Sequence, residues 1–322
     1  MSEIAVGQVR PASREPITAA SWAAPDWRRS LQLGLAAIWL LDAVLQYQSF
    51  MYSKGFAQMI GGTAAGNPHV IASPITWNAN LVQHHLVLLN TIFATIQLAI
   101  GIGIAFRPTL KVALAGSVLW SLGVWWFGEG LGGILNGGAS PLNGAPGAVL
   151  IYALIAVLLW PADRDPSAPF IAGRAAGTNV ARAVWAVFWA AQIYFTLQSS
   201  NLTATGLRDM IGGMASGEPS WLAAIQNHVA SAIGSNGIAV SVALAVVLAV
   251  IAAGVFLPAR VLKIVIIGTV VLAALIWVIA QAFGGILTGG GTDPNSGPLL
   301  ALFALLYWPL AANRPAAATT GE

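Results

Sequence analysis

The chain has no cysteine in its 322 residues. Disulfide bonds, thiol catalysis and iron–sulfur or thiolate metal sites are therefore excluded. The sequence also lacks a Walker motif, a dinucleotide-binding fingerprint, a nucleophile elbow and a metalloprotease motif. These absences remove several common enzyme classes and leave open whether the chain is an enzyme at all.

Charge is also scarce, at 8% of the chain, whereas soluble domains carry about 25% charged residues. Residues 112–128 and 264–291 contain no charge, and residues 31–52 contain only Asp42. Because about 20 apolar residues cross a bilayer as a helix, the sequence predicts an all-α integral membrane protein of the plasma or inner membrane. The net charge of +3 reflects topology, so nucleic acid is not expected as a partner.

Four motifs occur twice, in the same order and at an offset of about 150 residues. They are Met-Ile-Gly-Gly at 59–62 and 210–213, a tryptophan seven residues before a histidine at 77–84 and 221–228, Gly-Gly-Ile-Leu at 132–135 and 284–287, and Trp-Pro at 160–161 and 308–309. Agreement of all four in register predicts an internal duplication.

Each repeat is expected to contribute four transmembrane helices. The predicted spans are 31–53, 80–106, 110–128 and 146–161, followed by 180–201, 235–257, 261–282 and 297–311. The predicted organisation is a disordered tail (1–29), a first four-helix repeat (30–161), a linker (162–179), a second four-helix repeat (180–311) and a second tail (312–322).

The placement of Lys and Arg predicts the orientation, because cytoplasmic segments are enriched in these residues. Of the 14 Lys and Arg residues, all but Lys54 and Arg208 fall on one side of the predicted membrane. Both termini and the linker are therefore expected in the cytoplasm. The two repeats are then parallel to each other, and their Gly-rich loops open on the extracytoplasmic face.

Two acids are the first candidates for chemistry. Asp42 lies near the middle of the first predicted span, where a carboxylate costs about 2.5–3.5 kcal/mol and needs a partner. Glu129 lies at the outer end of the third span, and the second repeat has the amides Gln192 and Gln281 at the matching positions. We therefore expect one working site in the first repeat, with Asp42 and Glu129 in catalytic, proton-exchanging roles.

The histidines form a second group of candidates. His84 and His85 are expected to begin the second span, and His84 matches His228 of the second repeat. Neutral imidazoles bind metals and haem iron, which makes His85 and His228 candidates for cofactor binding. The alternatives are an acid–base cluster of His84 and His85 with Glu129 and an interfacial histidine that caps the start of a helix, and no particular metal is predicted.

The Gly-rich segments 132–146 and 284–298 precede two short apolar runs. These runs reach across ~30 Å of hydrocarbon only if the Gly-rich segments lie at membrane depth. Irregular backbone is tolerated there when it is packed in protein or lines a cavity. We therefore predict one pocket in the extracytoplasmic half, where Gly132, Gly133, Trp77 and Gln97 join the acids and histidines.

The first repeat resembles the DoxX/DoxD superfamily of four-helix membrane proteins. The resemblance rests on the glycine-spaced run 95–107, on Lys54-Gly55-Phe56 and on Tyr152-Ala153-Leu154, and it extends more faintly to 180–311. The DoxD branch is the membrane subunit of a thiosulfate:quinone oxidoreductase. The resemblance thus implies a subunit of a quinone-linked redox system, with quinone or haem as cofactor and partner subunits in the bilayer.

Two other functions are compatible with the residues. Parallel repeats with paired Gly-rich segments are also found in carriers, which favours a small-solute transporter coupled to protons through Asp42. A membrane assembly or scaffold subunit, acting as a homo-oligomer or with other proteins, is the third interpretation.

Overall fold

The computed structural model describes residues 26–310, and this part of the chain is all-helical, with thirteen α-helices and no β-strand. The helices are α1 (Trp27–Leu45), α2 (Lys54–Gly62), α3 (His69–His84), α4 (Leu86–Ala105), α5 (Leu110–Phe127), α6 (Ala148–Leu158), α7 (Ile171–Ala176), α8 (Thr178–Thr196), α9 (Gly206–Met214), α10 (Ser220–Ile233), α11 (Gly237–Gly254), α12 (Ala259–Leu275) and α13 (Ser296–Leu305). We call α1–α6 with their loops the first half, and α8–α13 with their loops the second half.

Four segments of the described chain are long and apolar enough to cross a membrane, which indicates a membrane protein. They are Leu86–Ala105, Arg107–Phe127, Gly237–Gly254 and Ala259–Ala280. Only 28–39% of each segment is buried within the protein. Their remaining surface carries exposed apolar side chains such as Val112 and Ile264, 77% and 70% exposed. In water such a surface would be a large apolar patch, whereas in a bilayer it faces lipid.

The centre of the molecule is built from the two short apolar helices α6 and α13, which contact each other. On α6, Ile151 and Tyr152 are fully buried, and on α13 so is Phe303. The long helices surround this pair: α5 packs on α6, α12 on α13, α1 on α4 and α8 on α11. The two shortest apolar helices are therefore the most enclosed ones.

Several predicted boundaries are wrong, each for a local reason. The first predicted span continues to 53, but α1 ends at Leu45, and the chain turns into a 3-10 helix at Ser49–Tyr52. Asp42 therefore lies in the last turn of α1 and not near the middle of a span. The predicted span 80–106 is divided at His85, whose backbone is non-helical (φ −130°, ψ 38°), so α3 and α4 are separate helices.

The predicted tails and linker also need adjustment. Residues 1–25 and 311–322 lie outside the described residues. Within the predicted tail 1–29, Asp26 caps the N-terminus of α1, and Trp27 begins that helix. The predicted linker 162–179 contains helix α7 and the first residues of α8.

Candidate functional site

A cavity of about 770 Å³ lies within the first half. Helices α1 to α5 form most of its wall, and the Gly-rich segment before α6 forms another part. The wall is completed by Thr292, Asp293 and Asn295, which belong to the loop before α13 of the second half. The cavity is therefore lined by both halves of the chain, although the first half contributes most of the wall.

The charged residues of the cavity wall are all acids. Asp42, Glu129 and Asp293 line it, whereas none of the Lys, Arg and His residues in the described part of the chain does so. A carboxylate away from water is expensive unless a cation or hydrogen-bond donors compensate it. What each of the three acids contacts therefore decides what the cavity can bind.

Asp42 is held in place on one side only. Tyr152 of α6 donates a hydrogen bond from its hydroxyl to Oδ2 of Asp42 at 2.5 Å, and Asp42 is 2% exposed. The Tyr152 ring packs on Trp39 with the ring centroids 4.4 Å apart, and Trp39 donates from Nε1 to Oγ of Ser117 on α5 at 3.0 Å. The second carboxyl oxygen, Oδ1, has no hydrogen-bond partner among the described residues.

Glu129 follows α5 and contacts the beginning of α6. Its Oε1 accepts a hydrogen bond from the backbone N–H of Val149 at 3.4 Å, a position where a helix N-terminus favours negative charge. Gly147, with φ 110°, leaves room for this contact, since a Cβ there would collide with Glu129 and Trp125. Oε2 has no partner in the described chain. Burial, and secondarily the nearby Asp293, raise the pKa of Glu129 to about 8.

Asp293 is an acid of the cavity wall that the sequence did not predict. Its carboxylate accepts hydrogen bonds from the backbone N–H of Asn295 at 2.6 Å and from the Thr292 hydroxyl at 2.8 Å. Burial raises the pKa of Asp293 above its usual range. One signal was available: Asp293 is the only charged residue between Lys263 and Arg314, and an isolated acid in such a stretch is a candidate for function.

Further acceptors and aromatic rings complete the wall. Gln46 and Gln97 are 4% and 8% exposed, and the side-chain oxygen of each lacks a partner among the described residues. The same is true of the donor Nε1 of Trp120, whose ring lies 5.5 Å from that of Phe93. Rings line the cavity at Trp39, Phe56, Trp77, Phe93, Trp120 and Phe127. The lining thus combines apolar faces with hydrogen-bond acceptors that have no donor.

The structure brings most of the predicted site residues together. Asp42, Glu129, Trp77, Gln97, Gly132 and Gly133 all line the cavity. Gly132 and Gly133 have φ values of 64° and 74°, and a Cβ on Gly132 would collide with the Pro146 carbonyl, so glycine is needed at this turn.

The predicted histidines lie elsewhere. His84, His85 and His228 are exposed and do not line the cavity. His84 is the last residue of α3, and its Nδ1 lies 2.7 Å from the Asn80 carbonyl oxygen. The described residues contain no group of three or more His, Asp or Glu side chains that could hold a metal ion. Of the interpretations of His84, capping fits its position, but at the end of a helix and not at its start.

Comparisons with family models, with curated proteins and with solved structures find no match to this chain. The chemistry of the site therefore rests on its own geometry. An acceptor-rich, aromatic cavity suits a ligand that brings hydrogen-bond donors or positive charge and has an apolar body.

Proposed function

We propose that the chain crosses the membrane eight times as two parallel four-helix halves, with both termini in the cytoplasm. Helices of similar length follow one another in the same order: α1 and α8 have 19 residues each, α2 and α9 have nine each, and α6 and α13 have 11 and 10. Glu129 accepts from the second residue of α6, and Gln281 accepts from Gly297, the second residue of α13, at 3.2 Å. Equivalent contacts at equivalent places support the duplication.

The positions of basic residues support the orientation. Arg28 pairs with Asp163 at 2.6 Å, and Arg29 donates to the Ile104 carbonyl oxygen at the end of α4 at 2.9 Å. The N-terminus of α1, the end of α4 and the segment after α6 are therefore close together, as cytoplasmic positions should be. Reporter fusions after Arg107, Asp163 and Arg314 should all report a cytoplasmic location, and an extracytoplasmic signal at one of them contradicts this topology.

The function that the geometry supports best is that of a carrier for a small solute. One observation carries this proposal: a cavity of about 770 Å³ receives a buried, half-partnered acid from α1 and another acid from the second half. A solute that contacts Asp42 and Asp293 together links the two halves. A movement of one half against the other can then be coupled to binding, and the acids can exchange protons with the solute's compartment.

The absence of cysteine allows a direct test of this proposal. In a Gln97→Cys variant the only thiol lies at the cavity wall. A carrier that alternates its access should expose this thiol in turn to membrane-impermeant maleimide added outside and to maleimide trapped inside oriented proteoliposomes. Gly62→Cys, at the end of α2, is the control and should react from the outside only. Labelling of Gln97→Cys from a single side would refute a carrier and leave a one-sided binding site.

A quinone-linked membrane subunit is the second candidate, and a specific feature favours it. The unpartnered acceptors on Asp42, Gln46 and Gln97 can accept hydrogen bonds from the two hydroxyls of a quinol, and the Trp120 and Phe93 rings can pack on its ring. The resemblance of 31–161 to DoxX/DoxD proteins points the same way. Solvent extraction of the purified protein should then yield about one quinone per chain, and the yield should fall in Gln97→Leu.

A further inference from the structure

The acceptors of the cavity converge at one level of the bundle. Helices α1 and α4 are antiparallel neighbours: a Cβ on Gly101 would touch Leu40, and Asn90 donates from Nδ2 to the Gln46 carbonyl oxygen at 2.7 Å. Gln97 lies between Asn90 and Gly101 on α4, so it faces α1 at the level of Asp42. Asp42 and Gln46 are one helical turn apart and share a face.

These three side chains are almost completely buried, and each keeps a free acceptor. The atoms are Oδ1 of Asp42 and Oε1 of Gln46 and Gln97. A buried acceptor without a donor costs about 1–3 kcal/mol, so three at one place favour a ligand that supplies several donors. An ammonium group has up to three N–H donors and no acceptor, which matches this set better than a hydroxyl does.

The titratable side chains of the cavity wall narrow the class of ligand further. An anion would find no basic partner, because the titratable side chains of the wall among the described residues are the acids Asp42, Glu129 and Asp293. An inorganic divalent ion needs several converging oxygen ligands, but no three acidic or histidine side chains of residues 26–310 come close enough together. A monovalent organic cation needs only one nearby carboxylate and gains from aromatic faces.

The aromatic rings and the volume describe the rest of such a ligand. Trp120 and Phe93 form an aromatic pair on the cavity wall, and a cation within ~6 Å of such rings is stabilised by about 0.5–2 kcal/mol. Cavities of about 300–1,000 Å³ hold organic molecules of drug size, so the volume of about 770 Å³ leaves room for an apolar body beyond the cationic group.

We propose that the cavity recognises an organic ammonium compound. Its cationic group lies between Asp42, Gln46 and Gln97, and its apolar body lies against Trp120 and Phe93. This inference rests on the proposed binding function of the same cavity and names its ligand class.

The test uses three probes of one shape and different charge. Isothermal titration calorimetry of the full-length protein in detergent compares benzylammonium, benzyl alcohol and benzoate, with duroquinol as a fourth probe for the quinol candidate. Benzylammonium should bind at least tenfold more tightly than benzyl alcohol, and benzoate should not bind. Equal affinity for benzyl alcohol, or tighter binding of duroquinol, would refute the preference for an ammonium group but would still show that the cavity binds ligands. Failure of all four probes to bind would refute both the ammonium preference and the binding function.

Variants locate the cationic group. Asp42→Asn keeps the shape of the side chain and removes its charge, and it should weaken benzylammonium binding at least tenfold with little change for benzyl alcohol. Gln97→Leu removes an acceptor without changing charge and should weaken it severalfold, which keeps the test valid if Asp42→Asn does not fold. Asp209→Asn is the control, because that exposed acid pairs with Arg208 away from the cavity. Unchanged affinity in both cavity variants would refute the assignment.

Discussion

The two halves have similar helices, but the 770 Å³ cavity lies in the first half, whereas the loop before α6 packs into the second half. The difference lies in the loops before α6 and α13. The longer loop, between Gly133 and Ala148, lies against the second half: Gln192 donates to the Ala145 carbonyl oxygen, and Asn201 donates to that of Ala139, each at 2.9 Å. Leu142 of this loop packs among the apolar side chains Leu207, Ile211, Ala230 and Ile233.

The shorter loop, between Gly285 and Ser296, lies against the first half. Gln48 donates to its Gly291 carbonyl oxygen at 3.1 Å, and Asp293 and Asn295 reach the cavity wall. This loop closes the cavity without filling it. Each half is therefore completed by the loop of the other half, and the large cavity lies beside the shorter loop.

Equivalent side chains show the same division of roles. Gln281 accepts from Gly297 and donates from Nε2 to the Ser296 hydroxyl at 2.7 Å, so both ends of its amide are satisfied. Glu129 makes the equivalent backbone contact but has a free Oε2. The amide stabilises a turn, whereas the acid has capacity left for a ligand or a proton.

The largest loss of stability is expected at Gly132 and Gly284, which lie in similar turns of the two halves. Gly132→Val and Gly284→Val each place a Cβ against the backbone of the following loop at positive φ, so each should lower the free energy of unfolding by at least ~3 kcal/mol. Thermal unfolding in detergent measures this. Gly62→Ala is the control, because nothing lies within 4 Å of the added methyl group. A large loss in only one half would contradict the structural equivalence of the two turns.

The next prediction concerns pH. Since the pKa of Glu129 is raised to about 8 from an ordinary value of 4.5, the folded protein holds a proton that the unfolded chain releases between these values. The contribution of Glu129 to stability is therefore fully present below pH 4.5 and is lost as the pH rises from there to about 8. Glu129→Gln should remove ~2 kcal/mol of this decline, a figure reduced for water entering the cavity. Parallel unfolding curves at pH 5 and pH 8.5 check it, and the same decline in both proteins would refute the contribution of Glu129.

A smaller loss of stability is expected when the side chain that packs into the second half is shortened. Leu142→Ala removes part of the side chain that the first-half loop places in the second half. Because Leu142 is half-buried, the loss should be ~1–2 kcal/mol, with benzylammonium affinity unchanged. Chemical unfolding and calorimetry measure the two quantities. A change in affinity without a change in stability would show that this loop acts on the cavity and not on the second half.

The smallest effect is expected at the histidines. His84→Ala and His228→Ala alter exposed side chains at corresponding places of the two halves, so each should change stability by less than ~0.5 kcal/mol. Ligand affinity should stay within a factor of two of that of the parent protein. Loss of binding in His84→Ala but not in His228→Ala would show that His84 takes part in ligand binding.

The sequence predicted the helical class, the apolar segments and six residues of the cavity wall, because long uncharged runs, isolated acids within them and matched Gly-rich segments have few explanations in physical terms. Asp42, Glu129 and the Gly132–Gly133 turn are among these six residues. The histidines were placed wrongly because hydropathy does not register the break at His85, where one residue leaves the helical conformation. Asp293 was missed because its role depends on a loop crossing to the other half, and pairing residues with their repeat equivalents does not reveal such a contact.

Asp293 has a consequence for how specificity can change over time. The cavity is built almost wholly by one half, yet one of its three acids is carried by the turn Thr292–Asn295 of the other half. Substitutions in this turn can alter the cavity wall without touching the helices that form most of it. A protein with this arrangement can vary its cavity through a few loop residues while its helical framework stays constant.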